Sequence, residues 1–179
     1  MITRASRVGT GRSYAAGVND SGRPLAVFDV DGVLADVRHR RHHVERRPKD
    51  WDAFFAAAAD DPPLEQGVAL ARARAEDCEV VYVTGRPERC RADTRAWFAR
   101  HGLPEGRLSM RSERDRRPAR LAKQGLLRRL AAGRPVAVVV DDDAQVCAAY
   151  EAAGYRVLRA DWMAAAPALE RAQEDEGRT

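Results

Sequence analysis

Short runs of apolar, mostly β-branched residues alternate with helix-like segments along most of this chain. The runs predict strands at 25–30, 79–83, 108–110, 136–140 and 155–158, and the segments between them predict helices at 49–59, 64–75, 88–101, 118–132 and 144–153. The run at 136–140 is nearly all valine, which is typical of a strand buried on both faces. Strands that alternate with helices form a mainly parallel sheet, so we predict an α/β fold: a three-layer, Rossmann-like sheet with helices on both faces.

A length of 179 residues is typical of one domain with a single hydrophobic core. We predict a flexible leader at 1–23, a folded domain at 24–165 and a polar tail at 166–179, because only the middle segment carries sustained apolar patterning. The apolar runs are too short to cross a membrane. The three cysteines are far apart in the sequence, so we expect neither a disulfide framework nor a zinc site, and we expect a cytoplasmic protein without a membrane partner.

Polar side chains stand at the ends of three of the predicted strands. Asp29 and Asp31 end the first strand, Thr84 and Gly85 end the second, and three aspartates at 141–143 end the valine strand. The carboxyl ends of parallel strands meet at one edge of a sheet, which is where ligands bind in folds of this kind. An isolated Asp-x-Asp-Gly is most often a pair of surface acids, but three polar strand ends in this order predict a shared site.

The first pair, Asp29 and Asp31, can support specific chemistry. Side chains alternate along a strand, so Asp29 and Asp31 point the same way, and Gly32 lets the backbone turn out of the sheet. Two carboxylates can hold a hard divalent cation, and one of them can act as a nucleophile while the other transfers a proton.

Basic residues are abundant, but their distribution is more informative than their number. Lys49 and Lys123 are the only lysines among the 31 basic residues. Residues 107–134 hold ten basic side chains against two acidic ones, and a second cluster lies at 38–49. Such patches can bind a polyanion, although solvated helix faces are the commoner explanation.

The chain resembles the haloacid dehalogenase-like hydrolase superfamily in four short motifs. Residues 29–33 match the first motif, Thr84 the second, Lys123 the third, and Asp141 with Asp142 the fourth. The match covers nearly everything after the predicted leader.

The resemblance implies a phosphatase and a role for each catalytic residue. Asp29 would be the nucleophile that forms an aspartyl-phosphate, and Asp31 would act as general acid and then as general base. Thr84 and Lys123 would hold the phosphoryl oxygens. An acid two residues after the nucleophile is the arrangement of the phosphatases in this superfamily, because a leaving alcohol needs a proton; the dehalogenases proper lack it.

The resemblance also implies a Mg²⁺ ion as cofactor. Its ligands would be Asp29, the main-chain carbonyl of Asp31 and one aspartate of the fourth motif. Alignment with the Gly-Asp form of that motif makes Asp142 the direct ligand and Asp141 its neighbour, and the sequence leaves the choice between them open.

A narrower resemblance is to the 3′-phosphatase domain of polynucleotide kinase-phosphatases. It is carried by Thr84-Gly85-Arg86-Pro87, by Met110-Arg111 and by Arg117-Pro118 ahead of Lys123. The segment between the first two motifs is short, which indicates little or no cap domain and an open site. The resemblance implies that several basic residues, together with the Gly85 amide, approach a terminal phosphate; they are Arg38, Arg40, Arg86, Arg111 and Arg117.

Two features depart from the kinase-phosphatases. Asp143 stands where an arginine often follows the fourth motif, and no Gly-x-x-x-x-Gly-Lys-[Ser/Thr] loop is present. We therefore expect a phosphatase without a kinase module of that type, which acts either alone or with a separate kinase or ligase as a partner.

Three hypotheses follow. The first is a Mg²⁺-dependent phosphatase that removes 3′-phosphate from nucleic-acid ends. The second is the same chemistry on a small phosphomonoester such as a nucleotide or sugar phosphate. The third is a non-catalytic binding module that keeps the fold, which the presence of all four motifs disfavours.

Overall fold

The computed structural model describes residues 22–163 and 167–177. Most of the predicted leader at 1–23 lies outside them. The strands are β1 (Leu25–Phe28), β2 (Glu79–Pro87), β3 (Leu108–Arg111), β4 (Val136–Asp141) and β5 (Val157–Arg159). The helices are α1 (His42–Glu45), α2 (Trp51–Ala56), α3 (Glu65–Arg74), α4 (Arg91–Arg100), α5 (Ala119–Ala131), α6 (Ala144–Ala152) and α7 (Pro167–Glu176). Short 3₁₀ turns cover Arg38–Arg40, Ala57–Asp60 and Glu88–Cys90.

The five strands form one parallel sheet in the order β3-β2-β1-β4-β5. The chain builds β1, β2 and β3 outward in one direction and then crosses to the other side of β1 to add β4 and β5. Ligands of open α/β sheets bind where the strand order reverses in this way, at the carboxyl ends of the central strands. The predicted α/β fold is confirmed.

Alternating side chains of the strands build a core on each face of the sheet. On one face, Phe28, Tyr82 and Val140 pack with the aromatic residues of α2 and α4. On the other face, Val27 and Val139 pack against α5 and α6. Both faces of the central strands are therefore covered, which is why their sequences are nearly continuous apolar runs.

Local sequence signals agree with several helix boundaries. Asp50 directly precedes α2 and caps it, because its carboxylate accepts a hydrogen bond of 2.9 Å from the amide of Ala53. The helix predicted at 118–132 ends one residue early, at Ala131, and is followed by Ala132 with φ 46° and Gly133 with φ 82°. This left-handed pair terminates α5 and turns the chain toward β4.

The segment predicted as a polar tail contains helix α7. Leu169 and Ala172 are spaced one helical turn apart, and both are buried in the larger core. These two residues dock the helix, and most of its other positions are polar. No helix in the described ranges is both long and apolar enough to cross a membrane.

Candidate active site

A central pocket opens at the carboxyl ends of β1, β2 and β4. It is lined by residues that follow β1 and β4, by two residues within β2, by one residue of α5 and by residues in and just before α7; they are Asp29, Asp31, Gly32, Val37, Thr84, Gly85, Lys123, Asp142, Asp143, Met163, Leu169, Glu170 and Gln173. The structure thus brings together the polar strand ends that the sequence singled out. The residues contributed by the α7 region were not predicted.

Lys123 lies at the floor of the pocket between two carboxylates. Its Nζ is 2.9 Å from Oδ2 of Asp29 and 2.9 Å from Oδ2 of Asp141. All three side chains are buried. Burial alone would lower the pKa of Lys123, but the carboxylates of Asp141 and Asp29 outweigh it and raise that pKa well above its usual value. Lys123 therefore stays charged and compensates acids that would otherwise repel each other.

Three carboxylates converge beside this lysine. One oxygen each of Asp29, Asp141 and Asp142 lies within 4.8 Å of the others. Burial raises the pKa of Asp29 to about 7, and burial together with Asp141 and Asp29 raises that of Asp142 well above its usual range. Gly32 permits this convergence, because a Cβ at that position would lie 2.0 Å from Oδ2 of Asp142.

The cluster fits a divalent cation on two observations. Oδ1 of Asp29 is buried and accepts no hydrogen bond within the described part of the chain. The donors are carboxylate oxygens, the ligands that Mg²⁺ prefers in proteins. Asp142 lines the pocket, whereas Asp141 is 1% exposed and held by Lys123 beneath it. Asp31 lies outside the three-carboxylate cluster.

Raised pKa values in this cluster give the metal-free protein a characteristic pH dependence. The folded state holds a proton on Asp29 more tightly than the unfolded state does, so stability falls as pH rises from about 4 to about 7. We expect the free energy of unfolding in the presence of a chelator to fall by about 2–4 kcal/mol more across this window in the wild type than in Asp29→Asn. Urea titrations at pH 5 and pH 8 measure this difference, and parallel curves for the two proteins would contradict the assignment.

Two buried arginines hold the carboxylate of Asp31, which lies apart from the three-carboxylate cluster. Its Oδ1 accepts hydrogen bonds from Nη2 of Arg40 at 2.7 Å and from Nε and Nη2 of Arg86 at 2.9 and 2.5 Å. Burial acts to raise the pKa of Asp31, but the two guanidinium groups lower it to about 2. Oδ2 of Asp31 receives no hydrogen bond from the described residues, and Asp31 is one of the residues that line the central pocket.

Asp61 anchors the two arginines from the opposite side. Its carboxylate accepts from Nε and Nη2 of Arg40 at 2.7 and 2.8 Å and from Nη2 of Arg86 at 2.7 Å. His39 adds a contact of 2.8 Å, and the indole of Trp97 donates to the Asp61 carbonyl at 2.7 Å. The two arginines and two aspartates form a buried network that fixes the orientation of Asp31.

Arg40 can be tested apart from its neighbours in the basic cluster. We expect Arg40→Met to lower the free energy of unfolding by about 3–5 kcal/mol, because it leaves two buried carboxylates sharing one arginine. Arg38 offers a matched control two residues away, since its side chain is 62% exposed and pairs with Asp36. Arg38→Met should change stability by less than about 1 kcal/mol. Equal losses in urea unfolding for the two variants would contradict the network.

Residues 24–162 match the family described as the phosphatase domain of polynucleotide kinase PNKP. The chain belongs to this family. The resemblance to the haloacid dehalogenase-like hydrolases and to the kinase-phosphatases is thereby confirmed, and the protein is a phosphatase. No curated protein matches the sequence.

Solved structures show the same fold at low identity. A chain of a Pnkp1/Rnl/Hen1 complex is 21% identical with a TM-score of 0.65, covering 86% of this chain and 51% of its own. The class C acid phosphatase of Bacillus anthracis is 13% identical with a TM-score of 0.56, covering 79% and 68%. The L-2-haloacid dehalogenase of Xanthobacter autotrophicus is 16% identical with a TM-score of 0.53, covering 83% and 81%. This phosphatase domain spans about half the length of the Pnkp1-complex chain.

Within the phosphatase domain, the predicted phosphate-contacting residues lie in different places. Thr84 and Gly85 line the central pocket, with Thr84 only 1% exposed and its hydroxyl accepting from the amide of Arg86 at 3.2 Å. The Arg86 side chain turns inward to Asp31 and is not among the lining residues. Asp143, which departs from the family pattern, caps α6 by accepting from the amides of Gln145 and Val146 at 2.8 and 3.3 Å.

The other predicted arginines are absent from the lining of the central pocket. Arg38 pairs with Asp36, and Arg117 is exposed and pairs with Asp115. Arg111 is buried and donates through Nη2 to the carbonyl of Arg117. None of the three contacts the central pocket as it stands in this structure.

The sequence predicted no role for the Asp61 carboxylate, and it grouped Arg40 with the arginines expected to approach a terminal phosphate. Asp61 stands in an Asp-Asp-Pro-Pro turn, where acids are commonly solvated, and Arg40 is one of six basic residues at 38–49 other than histidine. The two residues meet only through tertiary structure. No signal in a single sequence distinguishes them from their neighbours.

Proposed function

We propose that this phosphatase domain is a Mg²⁺-dependent phosphomonoesterase that removes 3′-phosphate from polynucleotide ends. The observation that carries the proposal is the grouping of Asp29, Lys123 and Asp142 in one pocket with Asp31 at its side. This set supplies a nucleophile, fixed positive charge, metal ligands and a proton carrier.

Asp29 is the proposed nucleophile. A carboxylate oxygen of Asp29 attacks phosphorus, the bond between phosphorus and the leaving oxygen breaks, and the phosphoryl group becomes attached to Asp29. Water then attacks the same phosphorus, which releases inorganic phosphate and restores the carboxylate. Lys123 and Thr84, which both line the pocket, are the residues that we propose stabilise the phosphoryl oxygens in both steps.

Mg²⁺ would be held by Asp29 and Asp142, with the main-chain carbonyl of Asp31 as the further ligand that the family implies. When bound, it supplies positive charge that offsets the repulsion between an anionic nucleophile and an anionic phosphate. Asp142 is the better candidate than Asp141 for direct ligation, because Asp141 is occupied by Lys123.

Asp31 is the proposed proton carrier. Arg40 and Arg86 hold Oδ1 by hydrogen bonds, so Oδ2 is the oxygen that we propose exchanges the proton. The low pKa of Asp31 keeps its carboxylate ionised, the form that can accept a proton from the attacking water in the second step. Before the first step, an anionic phosphate beside Asp31 raises that pKa by like-charge repulsion and favours the protonated form needed for the leaving alcohol.

The fold supports a large substrate. Helices α1, α2 and α3, which fill the segment between β1 and β2, pack into the core and form no separate cap. The related Pnkp1 chain is part of a complex with Rnl and Hen1 that is called an RNA repair complex. From this likeness we propose that the present domain acts on a nucleic acid and that a kinase or ligase acts with it.

A substrate panel tests the proposal. Phosphate release is measured with Mg²⁺ and with a chelator on 3′-phosphate DNA and RNA oligonucleotides, on the same oligonucleotides with 5′-phosphate, and on mononucleotides and sugar phosphates. We expect Mg²⁺-dependent release with the highest kcat/KM on the 3′-phosphate oligonucleotides. Equal or better turnover of the small phosphomonoesters would show that the substrate is a small molecule and not a polynucleotide. Phosphate release in chelator would show that the reaction does not require Mg²⁺.

A further inference from the structure

Helix α7 forms one wall of the catalytic pocket and leaves little room in it. Leu169, Glu170 and Gln173 of this helix line the pocket, which has a volume of ≈ 30 Å³. One water molecule occupies about 10–15 Å³ by this measure, so the pocket has room for about two waters. A phosphate group is several times larger than a water molecule. The pocket therefore has to widen before a phosphorylated substrate can enter it.

The part of the wall that can move most easily is α7. The other walls belong to the central strands and to α5, whereas α7 packs only against other helices, chiefly α1 and α5. Among its described side chains, only Leu169 and Ala172 are buried. Elements that bury few apolar side chains separate from a fold at a lower free-energy cost than the strands of its core.

The charge of α7 is opposite to that of its surroundings. Its ten residues include four acids and one arginine. Its neighbours α1 and α5 lie within the two basic clusters, at 38–49 and 107–134. Glu174 forms an ion pair with Arg120 of α5. The acidic side chains of α7 thus occupy basic surface that a polyanion could otherwise bind.

Glu170 adds a negative charge to the pocket itself. It lines the pocket together with Asp29, Asp31 and Asp142, and no described residue forms an ion pair or a side-chain hydrogen bond with it. A carboxylate in this position repels the phosphate of a substrate. A helix that remained in place to bind the phosphate would carry the opposite charge, so Glu170 indicates that α7 moves away when the substrate enters.

A glycine holds the carboxyl end of α7 against the second basic cluster. Gly177 follows the helix with φ 55°, and a Cβ at this position would lie 2.0 Å from the carbonyl oxygen of Arg116. Any side chain at residue 177 would therefore push the end of the helix away from Arg116. A substitution of Gly177 weakens the attachment of α7 without changing any charge.

We propose that α7 is an autoinhibitory strap, which covers the catalytic pocket and the adjoining basic surface until a polynucleotide substrate displaces it. Its acids occupy the place of substrate phosphates, at Arg120 through Glu174 and in the pocket through Glu170. The apparent affinity for substrate is then reduced by the fraction of molecules in which the strap is displaced. Competition with a polynucleotide rests on the proposed function, whereas covering of the pocket applies to any phosphomonoester.

Hydrogen exchange measures the displacement directly. Exchange of the amides in 168–177 is followed by mass spectrometry in full-length Asp29→Asn, which cannot turn over its substrate, with and without an oligonucleotide 3′-phosphate. We expect the bound oligonucleotide to speed exchange in α7 by at least about 5-fold, because the displaced helix loses its packing. Unchanged or slower exchange with the oligonucleotide bound would show that α7 stays on the pocket and would overturn the proposal.

Gly177→Ala tests the effect of the strap on activity. We expect it to raise kcat/KM about 5- to 10-fold on an aryl phosphate and on an oligonucleotide 3′-phosphate, because a larger fraction of molecules has the pocket uncovered. Gly154→Ala is the matched control. Gly154 also follows a helix and has φ 86°, but a Cβ there would meet nothing within 4 Å. The control should keep both kcat/KM values within about 2-fold of the wild type.

The two readouts separate the strap from the substrate. Faster exchange in α7 of Gly177→Ala, combined with unchanged or lower kcat/KM on the aryl phosphate, would overturn autoinhibition. A rise in aryl phosphate turnover in Gly177→Ala, with no turnover of any oligonucleotide 3′-phosphate by either protein, would support the strap and reject the polynucleotide substrate.

Discussion

Asp29→Asn is expected to reduce phosphate release from an aryl phosphate by at least about 10⁴-fold, because the amide cannot act as the nucleophile. The fold should survive the change. Burial raises the pKa of Asp29 to about 7, so its charge is unfavourable in the metal-free protein, and the variant should have a Tm equal to or above that of the wild type in chelator. Steady-state assays and thermal unfolding on the same preparation measure both effects.

Asp143 provides the matched control for this variant. Asp143→Asn makes the same chemical change at the edge of the same pocket, and asparagine is as good a helix N-cap as aspartate. We expect it to keep activity within a few-fold of the wild type. Full activity in Asp29→Asn, or equal losses in the two variants, would contradict a covalent role for Asp29.

Lys123→Met is expected to cause the largest loss of stability of any single substitution in the pocket. It leaves the buried carboxylates of Asp29 and Asp141 without the ammonium group that lies 2.9 Å from each. Removing one partner of a buried ion pair costs about 3–5 kcal/mol, so urea unfolding at pH 8 in chelator should show a loss of that size. Phosphate release should fall as well, because the phosphoryl oxygens lose their fixed cation.

Arg128 is the control on the same helix. Its side chain is exposed on α5, so Arg128→Met should change the free energy of unfolding by less than about 0.5 kcal/mol. An unchanged free energy of unfolding in Lys123→Met would show that the carboxylates do not need this lysine in the folded state.

The fold was predictable because its signals are local. The β-branched strands, the Asp50 cap and the glycine after α5 each act through neighbouring residues, and the sheet follows from the alternation of elements. Strand β2 extends beyond the predicted end because Pro87 pairs with Arg111 across an irregularity in register. That extension depends on a partner strand, which the run of apolar residues did not reveal.

The site was predictable only in part, for a physical reason. Motif residues sit at strand ends, so the topology alone brings Asp29, Thr84 and Asp142 to one pocket. The arginines are different, because a long side chain can turn inward or outward from the same backbone. Arg38 is exposed and Arg40 is fully buried on a single 3₁₀ turn, and the contacts of Arg40 with Asp31 and the distant Asp61 distinguish the two.

The most direct test of the account is to locate the phosphoryl group on the enzyme during turnover. An aryl phosphate with a good leaving group, labelled in its phosphoryl group, is given to Asp31→Asn, which lacks the proposed base for the second step. The reaction is quenched with acid and the labelled peptide is identified by mass spectrometry. The account predicts a burst of the aryl product stoichiometric with enzyme and the label on Asp29. A label on any other residue, or turnover without a burst or a labelled peptide, would contradict it.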